Sequence, residues 1–226
     1  MWKVIFKFNN NVAGYTFGMM LTYFVFTSIM KNLEQSEVVS KEISEEIRNG
    51  EFTKYLLKPM DFLGYFYSYS LFRMLFTTLL SVVTLILGYV FLHKYIVLPN
   101  SFSECGFAII IFLLALNCML LINYCITVMS FYFVQISSFY LVKYNVFEFL
   151  TGTLVPLVLF PERIKAIFEL FPFYYLYQYP MSLYFGQIEE SLGKALIVLI
   201  IWNIALFVLS RIIYKSAIKK YEGVAI

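Results

Sequence analysis

Residues 106–129 read GFAIIIFLLALNCMLLINYCITVM, a run without one charged side chain. About 20 mostly apolar residues wound as a helix cross the roughly 30 Å hydrocarbon core of a bilayer, and this run is long enough. The rest of the chain has the same character. Of its 226 residues 61% are hydrophobic and 14% charged, with a mean hydropathy of +0.78. A soluble domain is nearer half apolar and a quarter charged, and it must still present a polar surface to water. Lipid as solvent removes that conflict. Aromatic residues reach 20%, with 25 Phe and 19 Tyr, and tyrosine suits the interface where one end of the ring is wet.

Working outward, four further stretches are apolar enough to span: residues 14–30, 62–92, 137–160 and 192–209. The expected fold is therefore all-α, a polytopic transmembrane helix bundle with five spans in a single domain over 1–226. Between the first two spans, residues 31–61 hold seven acids and five bases and lie outside the membrane. The spacing of Ile43, Ile47 and Tyr55 predicts a short amphipathic helix ending in a turn at Gly50. Pro99, Asn100 and Ser101 mark a turn in the loop 93–104. Residues 161–190, with Pro161, Pro172 and Pro180 among many aromatics, are too broken for a simple span and too apolar for an open loop. They are expected to lie in the outer interface or dip into the bilayer. Arg211, Lys215, Lys219 and Lys220 place the C-terminal tail in the cytoplasm by the positive-inside rule. Counting back puts 31–61 inside and the start of the chain outside. Met1–Phe8 reads as the outer end of a missing hydrophobic helix, so a truncated or mis-started chain is expected, the full version having six spans. The apolar stretch in Met1–Asn9 is too short for a signal peptide, and it lacks a small-residue cleavage site.

Catalytic constellations are hard to assemble from these residues. There is one histidine, His93, and no phosphate-binding glycine-rich loop of the Walker A type. Cys118 and Cys125 share one helical face and read as small buried hydrophobes, with no metal or cofactor implied; Cys105 begins the same run. The net charge of +3 is too small and too spread to imply nucleic acid as a partner. Glu45 and Glu46 beside Arg48 match part of the apparatus of membrane-embedded proteases, which add histidines inside the bilayer. Here the cluster lies outside the spans, so a solvated helix with pairs such as Glu45–Arg48 is the better reading. Arg73 and Lys143 are expected to snorkel to the interface, while Glu148 lies deeper and calls for a base on another helix. Asn117, Asn123, Thr127 and Gln135 could line a pathway or form interhelical hydrogen bonds.

Several stretches together resemble the ABC-2 family of ABC transporter permeases, in its small-subunit branch. Ile47-Arg48-Asn49-Gly50-Glu51-Phe52 followed by Tyr55-Leu56-Leu57-Lys58-Pro59 is similar to the family's cytoplasmic segment. Gly152-Thr153-Leu154-Val155-Pro156 with Phe160-Pro161 resembles the outer end of its fifth span. Phe171-Pro172-Phe173, Tyr179-Pro180 and Gly186 are similar to its outer loop, and Lys220-Tyr221-Glu222-Gly223 to its ending. The resemblance covers nearly all of the chain and departs at the beginning, where the family's first span is absent. It implies a multi-pass permease of the cell membrane, paired with an identical or sister permease subunit, on cytoplasmic ATPase subunits that hydrolyse the ATP. The segment 31–61 would be the coupling element, with Glu45, Glu46, Arg48, Gly50, Lys58 and Pro59 at the ATPase contact. Export of a hydrophobic or amphipathic compound, or of a small peptide, is what the family usually does. A membrane interaction or immunity protein that transports nothing shares the composition and is the alternative reading.

Overall fold

A computed structural model of the chain describes residues 14–92, 94–133, 137–153, 157–187 and 191–220. The expected missing-span remnant at 1–8 lies outside them, as do His93, Gln135, Pro156 and the ending Tyr221–Gly223. The described residues form nine α-helices and no strand element: α1 Phe17–Leu33, α2 Ser36–Arg48, α3 Thr53–Leu56, α4 Phe62–Leu92, α5 Phe102–Met129, α6 Ser137–Leu150, α7 Glu162–Phe168, α8 Gln178–Tyr184 and α9 Leu192–Ala217. Short 3₁₀ turns follow at Leu157–Leu159 and Ile218–Lys220. Side-chain caps set two of the starts. The Thr16 hydroxyl accepts the Met19 N–H at 3.3 Å and the Ser191 hydroxyl accepts the Lys194 N–H at 3.3 Å, each satisfying a donor that the first turn leaves open.

α5 is the central post. It packs against α9, α8 and α2, while α4 meets α1, α2 and α5. Ile111, Ala115, Cys118, Leu121, Tyr124 and Val128 of α5 are all buried. A polar seam crosses this packing: Tyr67 of α4 donates to Asn117 at 2.8 Å, and Asn117 donates to Asn203 of α9 at 2.5 Å. Asn203 in turn donates to the Leu114 carbonyl at 3.1 Å. Asn117 thus serves as interhelical glue, the second of the two roles its position allowed. Cys118 and Cys125 are buried thiols in the same post, as expected of small hydrophobes.

The outward faces are apolar. Leu75, Leu79 and Ile86 of α4 and Ile201, Ile204 and Ile212 of α9 are all exposed. Rows of this length would be a liability in water and are the natural lipid face of a membrane bundle. Among the described residues α5 and α9 are long and apolar enough to cross a membrane. α4 has 31 residues, which at about 1.5 Å each is also ample.

The expected span over 137–160 needs correction. Its helix, α6, stops at Leu150 after 14 residues, about 21 Å against a core of roughly 30 Å. Gly152 breaks it at φ +76°, a left-handed conformation that only glycine adopts without strain. Tyr23 of α1 then donates its hydroxyl to the Gly152 carbonyl at 3.0 Å, pinning the break. Beyond it the chain folds back, and Tyr174–Met181 run through the interior rather than along an open loop. Gln178 accepts the Leu157 N–H at 3.1 Å, so a buried side chain satisfies the backbone where the helix has failed.

Substituting Gly152 by valine tests that break. A Cβ there would meet Leu157 Cγ at 3.1 Å and the Tyr23 hydroxyl at 3.2 Å. Added to the strain of positive φ, this should cost about 1–3 kcal/mol, read as a lower midpoint for thermal unfolding in detergent.

Candidate functional site

The amphipathic helix α2 has two unlike faces. Ser36, Val39, Ser40, Ile43, Ser44 and Ile47 are buried, a set at spacings of three and four that makes one stripe. Three of these are serines four residues apart, small enough for a close approach to α5. Their hydroxyls are used. Ser40 donates to the Asn123 carbonyl at 2.8 Å and lies 2.5 Å from the Tyr140 hydroxyl. Thr127 donates to Ser40 at 2.7 Å, and Ser44 lies 2.9 Å from Tyr140. The opposite face, Lys41, Glu45 and Arg48, is exposed.

Ionic contacts reinforce the inner face. Lys143 of α6 is only 6% exposed and donates to Glu37 at 2.6 Å and to Asn123 Oδ1 at 2.6 Å. Asn123 Nδ2 donates to Ser36 at 2.7 Å and to Glu34 at 3.2 Å. Lys31 at the end of α1 pairs with Glu148 of α6. Arg73 of α4 reaches Glu42 of α2 at 2.5 Å, and Tyr69 donates to the same carboxylate at 2.7 Å. Glu148 therefore has the base on another helix that its depth required. Lys143 does not snorkel; it is held inside by a carboxylate and an amide because leaving it unpaired there would be expensive.

Two neighbouring carboxyls respond in opposite directions. Burial raises Glu34 above the ordinary carboxylate value, outweighing the Ser36 hydrogen bond and the Lys143 charge that lower it. Burial also works to raise Glu37, but the Lys143 charge and hydrogen bond, helped by Lys41, hold it below that value.

After α2 the chain reverses. Gly50 takes φ +79°, with its N–H on the Ile47 carbonyl at 3.1 Å and the Glu51 N–H on the Glu46 carbonyl at 2.9 Å. This double closure ends a helix and requires the left-handed residue that glycine supplies. The reversal brings Tyr55 of α3 back to Glu46, to whose carboxylate it donates. Lys54 pairs with the same carboxylate at 2.8 Å and with Glu51 at 3.0 Å. Burial first, then the Glu46 charge, push the Tyr55 phenol well above its ordinary value. Beyond α3 an apolar knob stands out: Leu57 is 80% exposed, with Leu56 and Met60 beside it. The element thus offers a charged stripe on α2 and an exposed leucine after α3, on a base locked into α4, α5 and α6.

A family model described as an ABC-2 family transporter protein matches residues 1–225. The chain belongs to this family. No curated protein and no solved structure matches it. An ABC-2 protein is a membrane component of a transporter and not its catalytic ATPase, which agrees with the apolar faces of α4 and α9.

On this ABC-2 chain the residues expected at the coupling contact fall into three groups. Glu45, Arg48 and Pro59 are exposed, and Glu45 and Arg48 form no ion pair among the described residues, so the pair expected between them is not made. Glu46 and Lys58 are turned inward: Glu46 is held by Lys54 and Tyr55, and the Lys58 ammonium lies 3.8 Å from the Tyr65 ring centre and 5.0 Å from that of Tyr55. Gly50 shapes the reversal. Lys41, Leu56 and Leu57 of the same segment are exposed as well and lie outside that expected set. Their signal was present, Lys41 by helical spacing from Glu45 and the leucines as an apolar pair beside a turn.

Replacing Glu37 by glutamine leaves the Lys143 charge buried without its anion, and should destabilise the protein by about 1–3 kcal/mol near neutral pH. Because folding lowers Glu37, its contribution is present above the unfolded value and fades as pH falls through the folded one. Glu34 has the reverse sign: its contribution is present below the unfolded value and fades as pH rises through the folded one. Glu34→Gln should therefore leave neutral-pH stability equal or higher, and paired thermal unfolding of the two variants checks the opposite signs.

Proposed function

We propose that this chain is the membrane-spanning permease subunit of an ATP-driven exporter, its residues 31–61 being the cytoplasmic segment that couples it to separate ATPase subunits. In this reading α1, α4, α5 and α9 cross the membrane, α6 enters it only as far as its break and the chain beyond Gly152 completes that passage, the C-terminus is cytoplasmic, and 161–190 is an outer segment folded back into the bundle. A second permease subunit, identical or a sister, completes the pathway. The cargo is a hydrophobic or amphipathic compound or a small peptide.

The observation that carries the proposal is the two-faced construction of α2. An outward charged face suits water as well as a partner, but a helix that served only as a solvated cover would need no buried tie to the bundle as extensive as three serines and a carboxylate–lysine pair. Glu45 and Arg48, with the exposed Leu57 farther along the segment, have the make-up of a docking patch, charges for register and an apolar anchor, while Lys41 is already engaged by Glu37. The buried side ties that patch to α4 through Arg73, to α5 through Asn123 and to α6 through Lys143. Movement imposed by a closing ATPase dimer would therefore reach three helices at once.

Purification of the tagged chain in mild detergent should recover an ATPase carrying a Walker A sequence. Recovery of the chain alone, from membranes in which it is stable, contradicts the proposal. Exchanging the charges of the stripe, Glu45→Lys with Arg48→Glu, keeps net charge and should reduce the recovered ATPase about tenfold while insertion is unchanged. Unreduced recovery would make the stripe a solvated face. Glu46→Lys is the poorer test, since it also breaks the contacts to Lys54 and Tyr55.

A further inference from the structure

Between the start of α2 and helices α4 and α5 lies a cavity of about 270 Å³. Its floor is Leu71 and Met74 of α4 with Leu113, Leu116 and Leu120 of α5, and its polar edge is Gln35, Ser36, Tyr67, Ser70 and Asn117. Among the described residues lining it none is charged. Tyr67 and Asn117 satisfy one another and Asn203, but Ser70 does not join them: it is 3% exposed and its hydroxyl has no hydrogen-bond partner among the described residues. A buried hydroxyl left in this state costs free energy, and such a group calls for a partner that is not part of the bundle.

The geometry points to a binding site for the cargo itself: a neutral amphiphile, a hydrocarbon chain bearing one hydroxyl or carbonyl that pairs with Ser70. This rests on the transporter reading for its role and on the cavity for its chemistry. The leucine and methionine floor takes the chain, and Ser70 fixes the polar end. A phospholipid fits poorly, because its phosphate would meet no cation in the lining and would be desolvated without compensation. The same reasoning excludes fatty acids and quaternary amines in their charged forms. The site adjoins α2 itself: Ser36, its first residue, both edges the cavity and accepts from Asn123 of the buried interface. A shift of α2 on ATP binding would therefore deform the polar edge of the pocket directly.

The test uses the full chain in its native membranes with a diazirine-bearing long-chain alcohol, and the matching carboxylic acid as comparison. After irradiation, labelled positions are mapped by mass spectrometry. Saturable labelling around Met74 and Leu113–Leu120 is expected, displaced by unlabelled alcohol, with the acid labelling about tenfold less. Ser70→Ala should weaken displacement by the alcohol about fivefold and yet raise the melting temperature of the empty protein, because it deletes an unsatisfied hydroxyl. A residue with only a structural role would move both in the same direction. Leu116→Trp, which fills the cavity, should abolish the saturable labelling. Unsaturable labelling spread equally over the outer face of α9 would overturn the proposal, as would alcohol and acid labelling alike, or a Ser70→Ala variant with unchanged displacement. Labelling needs neither ATP nor a partner, so its failure leaves the ATPase co-purification to stand or fall by itself.

Discussion

Asn123 is the point where α2 is joined to the bundle. Its side-chain amide donates to Ser36 and Glu34, its side-chain oxygen accepts from Lys143, and its backbone carbonyl accepts from Ser40 and Thr127. Its side chain and carbonyl thus engage partners on α2, on α6 and on its own helix. In a site of low dielectric such a network is strong when complete and costly when any member is lost. It explains why a helix as polar as α2 remains against an apolar bundle, and why Lys143 tolerates burial.

Around that joint the bundle separates two kinds of surface. Rows of exposed leucine and isoleucine on α4 and α9 suit lipid, where no polar side chain is required. Polar residues are drawn instead to the contacts between helices, as in the Tyr67–Asn117–Asn203 seam and the Asn123 cluster. Within hydrocarbon these contacts give register to helices that have no hydrophobic reason to prefer one another over lipid. The same logic marks the exceptions. Glu45 and Arg48 keep their charges outside, and Ser70 keeps a hydroxyl inside without a partner. Water satisfies the first two, whereas Ser70, like Tyr124, has a buried hydroxyl with no hydrogen-bond partner among the described residues.

Much of this was legible in the sequence because hydropathy and helical spacing are local properties. The long runs over 62–92 and 106–129, the amphipathic helix around Ile43 and Ile47, and the glycine turn at Gly50 all follow from such patterns, while Tyr55, expected on the same stripe, falls on α3 beyond the turn. Helix ends were less visible: α9 continues to Ala217 past the expected limit at 209, since Arg211 and Lys215 end the apolar run without ending the helix. The break at Gly152 was hidden for the opposite reason, apolar residues continuing on both sides of a backbone that had already turned. On α2, Glu45 and Arg48 could be placed outward by periodicity alone. The engagement of Glu46 could not, because it depends on the reversal that returns Tyr55 to it. Lys143 was misread as snorkelling because its partner, Glu37, lies 106 residues earlier in the chain.

If the Asn123 joint is rigid, α2 and the adjoining end of α5 move as one body when ATP binds the assembled transporter. Spin labels at positions 45 and 129, with Cys105 replaced by serine, measure their separation by pulsed electron resonance. One distance, the same with and without ATP, is what a rigid joint predicts. A second distance that appears with ATP would mean that α2 slides on α5, and that the buried serine face transmits nothing.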